Sequence, residues 1–158
     1  MATAAGPAPP TARATELQAR LREALEANGQ RLTEQRAAVY RCLAGTDGHP
    51  TAEEVFTAVR AEIADISLAT VYKALETLVS CGLATRLLYG DRSARYDART
   101  DPHHHARCAA CDAVLDVPRY LDRHALDGLG PVRGFHVTGY RLELVGFCAA
   151  CRPGEDEG

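Results

Sequence analysis

The sequence predicts an α+β protein, in which an N-terminal winged helix-turn-helix domain is followed by a small α/β dimerisation domain with a four-cysteine zinc site. Two observations support this prediction. Four segments with helical periodicity precede two short strand-like segments, which is the element order of a winged helix. Two Cys-x-x-Cys pairs then enclose most of the remaining chain, which is too short to form a large core without a metal or a partner subunit.

The first two predicted helices end at glycines. Apolar residues at helical spacing over residues 15–28 are followed by Gly29, which favours a helix C-terminus. The second helix follows Thr33, whose hydroxyl can cap the first turn, and it ends at Gly45.

The next two helices begin with stronger capping signals. Thr51 and Glu54 form a predicted capping box, and the apolar spacing extends this third helix to Ile63. The fourth helix follows Ser67 and repeats apolar residues at helical spacing until Gly82. We expect this fourth helix to enter a DNA groove, because it is the second helix of the predicted helix-turn-helix pair.

Strand-like segments follow the helices. Residues 84–89 and 93–97 predict a two-stranded hairpin around residues 90–92, and the break at Pro102 indicates a hinge. The predicted boundaries are a disordered tail over 1–14, a winged-helix DNA-binding domain over 15–97, a hinge over 98–102, a dimerisation and metal-binding domain over 103–152, and a disordered tail over 153–158.

The second domain has a mixed pattern. It predicts a strand over residues 113–117, a helix over 120–129 and alternating strand character over 135–147.

Charge and composition limit the function classes. The formal net charge is −3, so any nucleic-acid site must be a local basic surface. Residues 2–11 lack the features of a signal peptide, and no apolar run approaches the roughly 20 residues that cross a bilayer. We therefore expect a cytoplasmic protein with no membrane partner.

Cys108 and Cys111, with Cys148 and Cys151, predict a structural Zn²⁺ site. In a reducing compartment such pairs are more often metal ligands than disulfides, and four thiolates leave no open coordination position for catalysis. Two disulfides or an iron–sulfur cluster are the alternatives. Of the two other cysteines, Cys42 is interpreted as a small buried hydrophobe, and Cys81 receives no role.

A run of three histidines predicts a second metal site. In an extended segment His103 and His105 point the same way, whereas His104 faces elsewhere. Carboxylates are available nearby, at Asp97, Asp101 and Asp116. Such a ligand set suits Fe(II), Mn(II), Ni(II) or Zn(II), and the alternative is a solvated polar tract. His49, on the residues alone, is equally well a turn histidine before proline.

Seven motifs occur in one order between about residues 16 and 151. They are Arg31-Leu-Thr-Glu-Gln-Arg36, His49-Pro-Thr-Ala-Glu-Glu54, Ser67-Leu-Ala-Thr-Val-Tyr-Lys73, Tyr89-Gly-Asp91, Arg95-Tyr-Asp97, His103-x-His105-x-x-Cys108-x-x-Cys111 and Cys148-x-x-Cys151. This ordered set resembles the ferric uptake regulator (Fur) family, and most closely its peroxide-sensing (PerR-like) branch.

The resemblance implies a metal-dependent transcriptional repressor with a regulatory metal site between its domains. The implied ligands are His49, Asp97, His103, His105 and Asp116. Aspartate at the last position is typical of the peroxide sensors, whereas the iron-responsive branch has glutamate. In such sensors bound Fe(II) reacts with hydrogen peroxide, a ligand histidine (here His49 or His103) is oxidised and DNA is released, while Mn(II) supports repression without that reaction.

Other metals and signals stay open. A family member that controls metal uptake in response to manganese, iron, zinc or nickel is the alternative. Pro102 and Tyr140 stand where members with an additional metal site often have histidines, and His104 is a candidate ligand for nickel or zinc.

For DNA binding, we expect a homodimer on a double-stranded operator that is an inverted repeat, AT-rich in sequence. The expected DNA-binding residues are Arg31, Arg36, Ser67, Thr70, Tyr72, Lys73 and Arg92. Thr70 and Tyr72 are placed to contact thymine methyl groups and Lys73 a phosphate or guanine, whereas the arginines contact phosphates. The alternative for Tyr72 is packing in the core.

Two rival classes fit less well. A zinc deaminase needs His-x-Glu before Pro-Cys-x-x-Cys, and neither element is present. A zinc-ribbon interaction module without DNA binding leaves the four predicted helices unexplained.

Overall fold

The computed structural model describes residues 12–89, 93–117, 134–136 and 142–152. The chain divides into two compact units, Met1–Thr100 and Asp101–Gly158. The elements of the first unit are α1 (Ala12–Ala27), α2 (Glu34–Ala44), α3 (Ala52–Val59), α4 (Leu68–Ser80), β1 (Thr85–Leu87) and β2 (Arg95–Asp97). Those of the second unit are β3 (His104–Cys108), β4 (Val114–Val117) and β5 (Glu143–Gly146).

The predicted N-caps are confirmed by their hydrogen bonds. Thr33 and Ser67 each accept, through the side-chain oxygen, a bond from the backbone N–H three residues later. At α3 the capping box is complete, because Thr51 Oγ1 accepts from Glu54 N at 3.2 Å and Glu54 Oε2 accepts from Thr51 N at 2.7 Å. These bonds satisfy amides that have no partner within the helix.

Two helix limits differ from those predicted. α1 begins at Ala12 rather than at residue 15, and α3 ends at Val59 instead of continuing to Ile63. After Arg60 the backbone tightens, since Ala61 N donates to Ala58 O three residues back rather than four. Ile63 therefore packs against the core from a turn, which explains its apolar spacing without a helix.

The core of the first unit lies where α2, α3 and α4 pack together. Val39, Val55, Val71, Leu75 and Leu78 are completely buried there. Each such side chain contributes about 1.5–3 kcal/mol through its removal from water.

The two-stranded antiparallel sheet of β1 and β2 completes the first unit. It corresponds to the predicted hairpin, with strands shorter than expected. The hairpin tip at 90–92 lies outside the described residues.

The second unit contains a three-stranded sheet in the order β4-β3-β5. β3 pairs with β4 antiparallel and with β5 parallel, so that His105 lies opposite Asp116 on one side and Glu143 on the other. The predicted strand over 113–117 corresponds to β4, and only 143–146 of the predicted 135–147 segment is described as a strand. The predicted helix over 120–129 and the tail over 153–158 lie outside the described residues, as does most of the tail over 1–14.

In the described ranges, no helix is both long and apolar enough to cross a membrane.

Candidate metal centres and nucleic-acid interface

Two tight turns bring the cysteines of the second unit together. Cys108 ends β3, and its amide donates to Ala113 O at 2.9 Å across the first turn, where Asp112 has a positive φ of 58°. The second turn closes when Cys151 N donates to Cys148 O at 3.0 Å. Because β5 runs parallel to β3, both turns lie at the same edge of the sheet.

The four sulfur atoms of these residues all lie within 4.8 Å of one another, and none of the six cysteines of the chain forms a disulfide. Cys111 Sγ is 3.7 Å from Cys148 Sγ. A tetrahedral ion with Zn–S bonds of about 2.3 Å places its sulfur atoms about 3.8 Å apart, so the cluster has the spacing of a closed zinc site. Four thiol donors also match the ligand preference of that ion.

The cysteine environment favours unequal protonation. Backbone N–H groups of Cys148 and Cys111 donate to the sulfur of Cys108 and lower its pKa to about 6. Hydrogen bonds with the sulfurs of Cys111 and Cys148 raise the pKa of Cys151 to about 12. Cys108 is therefore deprotonated more readily than Cys151, and a bound dication would favour the thiolate form of its ligands.

Two imidazoles and a carboxylate converge beside β3. His103 Nε2 is 3.0 Å from His105 Nε2 and 3.2 Å from Asp116 Oδ1, and His105 Nε2 is 3.7 Å from the same oxygen. His103 Nδ1 lies 2.7 Å from the carbonyl oxygen of Asp101, which can only accept, so a hydrogen bond there is donated by Nδ1. A histidine whose second nitrogen is held by a backbone carbonyl is typical of metal ligands.

In the first unit, His49 and Asp97 form a second buried polar pair. They are 4% and 7% exposed, and His49 Nε2 lies 3.8 Å from Asp97 Oδ2. The other carboxylate oxygen of Asp97 accepts from Arg99 N at 2.7 Å. Burial of this kind is unusual for a turn histidine, and the pair presents imidazole and carboxylate donors close together.

Arg95 connects this pair to α3. Its guanidinium donates to the carbonyl oxygen of His49 at 2.8 Å and lies 3.6 Å from Glu54 Oε2. The sequence alone gave no signal for this contact, since 46 residues separate Arg95 from His49.

Candidate DNA-contacting groups lie along α4. Ser67 caps the helix, and its hydroxyl shares a hydrogen bond with the hydroxyl of Thr70. Lys73 is exposed. Tyr72 is 38% exposed, so it does not pack in the core, and its hydroxyl donates to Glu53 Oε1 of α3 at 2.7 Å. Next to α4, a groove of about 550 Å³ is lined by the Gly29–Arg31 turn, the start of α2, and Thr70 and Lys73.

The predicted phosphate-binding arginines differ in their surroundings. Arg31 is exposed, whereas Arg36 is half-buried and donates to Arg31 O, to Gln30 Oε1 at 3.1 Å and to Thr77 Oγ1 at 3.5 Å. Arg92 lies outside the described residues. The sequence reasoning overlooked the exposed Arg86 of β1, whose positive charge partly offsets the rise in the pKa of Tyr72 that the hydrogen bond with Glu53 causes.

The two remaining cysteines are not part of the four-sulfur cluster. Cys42 packs against the core of the first unit, where burial raises its thiol pKa, and Cys81 is half-buried. Tyr140 lies outside the described residues.

Comparison with known proteins identifies the family. The profile described as the ferric uptake regulator family matches residues 27–145. The chain belongs to this family. Ferric uptake regulator family proteins are metal-dependent DNA-binding repressors and not enzymes, which confirms the predicted repressor and excludes the zinc enzyme.

Individual members of the ferric uptake regulator family agree with this assignment. The peroxide operon regulator of Bacillus subtilis is 37% identical over 140 residues, covering 86% of this chain and 96% of that relative. The Campylobacter jejuni peroxide stress regulator superimposes with a TM-score of 0.61 at 27% identity, covering 85% of this chain and 98% of that structure. The Helicobacter pylori ferric uptake regulator has a TM-score of 0.71 at 21% identity over 90% and 95% of the two chains, which shows the shared fold.

Proposed function

We propose that this chain is a peroxide-responsive repressor whose DNA affinity depends on Fe(II) or Mn(II). The observation that carries the proposal is the convergence of His103 Nε2, His105 Nε2 and Asp116 Oδ1 within 3.7 Å of one another. Two nitrogens and one oxygen are an incomplete ligand set for either ion. We propose that the buried pair of His49 and Asp97 completes it.

A shared ion explains regulation in physical terms. His49 and Asp97 belong to the first unit, and the other three ligands belong to the second. An ion that binds both sets has a higher affinity for the arrangement in which they meet, so metal binding selects that arrangement. A coupling of about 1–3 kcal/mol between metal and DNA changes DNA affinity by about 5–150-fold.

The peroxide signal is proposed from two features. The relatives from Bacillus subtilis and Campylobacter jejuni are named as peroxide regulators, and Asp116 matches the residue type of the peroxide-sensing branch. When bound, Fe(II) supplies the electrons that reduce hydrogen peroxide. His49 and His103 are the side chains proposed to be oxidised, and an imidazole that has gained an oxygen atom is a poorer metal ligand, so it would no longer hold the two units in the DNA-binding arrangement.

The four cysteines are proposed to hold a structural Zn²⁺ ion in every state of the repressor. Their sulfur spacing supports a closed site, as does the grouping of four thiols without another donor type among the described residues. Regulators of this family are DNA-binding dimers, and we propose that this chain acts as a homodimer on an AT-rich inverted repeat.

For the proposed DNA contacts, Thr70, Tyr72 and Lys73 would face the bases, with Ser67 at the start of the same helix. Arg31, Arg36 and Arg92 would bind phosphates, and Arg36 has to do so in addition to its intramolecular bonds.

Metal loading followed by peroxide treatment tests the proposal. Zinc-containing protein is loaded with Fe(II), Mn(II), Zn(II) or Ni(II) in turn, treated with hydrogen peroxide, and followed by DNA-binding titration and peptide mass spectrometry. We expect DNA release together with a gain of one oxygen atom on a peptide that contains His49 or His103, with iron only. Metal-dependent DNA binding without that oxidation would instead identify a regulator of manganese, zinc or nickel uptake.

A further inference from the structure

Glu53 contacts the side chain at the centre of the proposed recognition surface. Tyr72 lies on the exposed side of α4, and its hydroxyl donates to Glu53 Oε1 at 2.7 Å from the first turn of α3. The bond stabilises an ionised carboxylate and a protonated phenol, because it lowers the pKa of Glu53 and raises that of Tyr72. A hydrogen bond to a charged acceptor is about twice as strong as one between neutral groups.

This bond restricts what Tyr72 can offer to DNA. The phenolic proton is engaged with Glu53, so the hydroxyl is not available as a donor to a phosphate oxygen. The ring is also held in one orientation, which leaves its edge and face for apolar contact with bases. The carboxylate adds a negative charge beside a helix that must approach phosphates, and this charge opposes binding to any duplex regardless of sequence.

We propose that Glu53 is a positioning and specificity-determining residue, which fixes Tyr72 for base contact and disfavours sequence-independent binding. The inference rests on the proposed contact of Tyr72 with bases. It predicts that loss of the acceptor frees the hydroxyl to bind phosphate, which raises affinity for unrelated DNA and weakens discrimination.

Four variants separate the hydrogen bond from the charge. Glu53→Gln removes the charge but retains an acceptor for the hydroxyl, whereas Glu53→Ala removes both. Tyr72→Phe removes the donor and keeps the ring. Glu76→Ala is the matched control, because it removes another exposed carboxylate from α4, four residues after Tyr72.

The measurement begins with selection of the preferred duplex by the unmodified chain from random DNA. Affinities for the selected duplex and for a scrambled one are then titrated at several salt concentrations, with and without Mn(II). We expect Glu53→Ala to lower the affinity ratio about tenfold, through higher affinity for the scrambled duplex. The salt dependence should change equally in Glu53→Ala and Glu53→Gln, because both remove the same carboxylate charge and a neutral hydroxyl releases no counterion when it contacts a phosphate. Glu53→Gln and Glu76→Ala should leave the base preference in place.

Non-additivity is the decisive readout. In the Tyr72→Phe background, Glu53→Ala should change the affinity ratio less than twofold, because the bond is already absent. An unchanged ratio in Glu53→Ala, or an equal loss in both backgrounds, would overturn the proposed role. If added Mn(II) does not change DNA binding by the unmodified chain, the proposed metal dependence of the repressor is refuted. The comparison of the variants still decides the role of Glu53 in that case.

Discussion

His103 Nε2 lies 3.2 Å from Asp116 Oδ1. His103 immediately precedes β3 and Asp116 lies in β4, so the two strands bring a nitrogen and an oxygen ligand atom together. The register accounts for this meeting. Asp116 is the cross-strand partner of His105, and His103 lies two residues earlier on the same side. Strand pairing thus converts the spacing of two histidines into a three-donor cluster.

Replacing both histidines of this cluster should abolish the regulatory response. Loss of a residue that only hydrogen-bonds to a metal ligand weakens metal binding about 10–100-fold. We expect the double variant His103→Ala/His105→Ala, which removes two ligands, to weaken Mn(II) binding by more than this. Calorimetric titration of zinc-containing protein measures this change. The control is His104→Ala, since the intervening strand residue points to the other side of the sheet. Equal Mn(II) affinity in the double variant and the unmodified chain would refute the ligand assignment.

Arg95 should influence metal binding without being a ligand. Its bond to the His49 carbonyl and its proximity to Glu54 fix the segment that carries the imidazole. We expect Arg95→Met to lower Mn(II) affinity about tenfold. Arg86→Met, on the neighbouring strand, is the control and should retain it. If Arg95→Met binds Mn(II) as tightly as the control, the arginine does not position His49.

The cysteine cluster should determine the stability of the second unit. Cys111→Ser exchanges a thiolate for an alcohol, so we expect loss of one bound Zn²⁺ per chain and of the cooperative unfolding of this unit. Zinc content by mass spectrometry and thermal unfolding provide the measurement. Cys81→Ser removes a cysteine outside the cluster and should retain the metal. Full zinc content in Cys111→Ser would argue against a four-sulfur site.

Local signals were sufficient to predict most of the first unit. Thr33, Thr51 and Ser67 cap helices through bonds to amides three residues away, so the sequence itself contains both partners. Contacts between residues far apart in the sequence have no comparable local signal. The parallel pairing of β3 with β5 joins residues 38 positions apart, such as His105 and Glu143, and neither strand has a strong apolar alternation.

The candidate sites follow the same division. The cysteine cluster could be predicted because each Cys-x-x-Cys pair is local in the sequence, and two such pairs in one chain are typical of a zinc site. Tyr72 was placed on the recognition helix by spacing, but its bond to Glu53 depends on how α3 packs against α4. The environment of Tyr72 therefore depends on the packing of α3 against α4, which the residue types alone do not reveal.

Arg36 and Lys73 should respond differently to substitution, although both are expected at the DNA surface. Arg36 bonds to Gln30, to the Arg31 carbonyl and to Thr77, so Arg36→Met should lower the free energy of unfolding of the first unit by about 1 kcal/mol. Lys73 is exposed on α4, so Lys73→Met should leave stability unchanged while reducing the slope of log affinity against log salt by about one. Chemical denaturation and DNA titration at several salt concentrations distinguish the two. A normally stable Arg36→Met variant would contradict the prediction, because it would show that these intramolecular bonds do not stabilise the first unit. A reduced salt slope in that variant would agree with the proposed phosphate contact of Arg36.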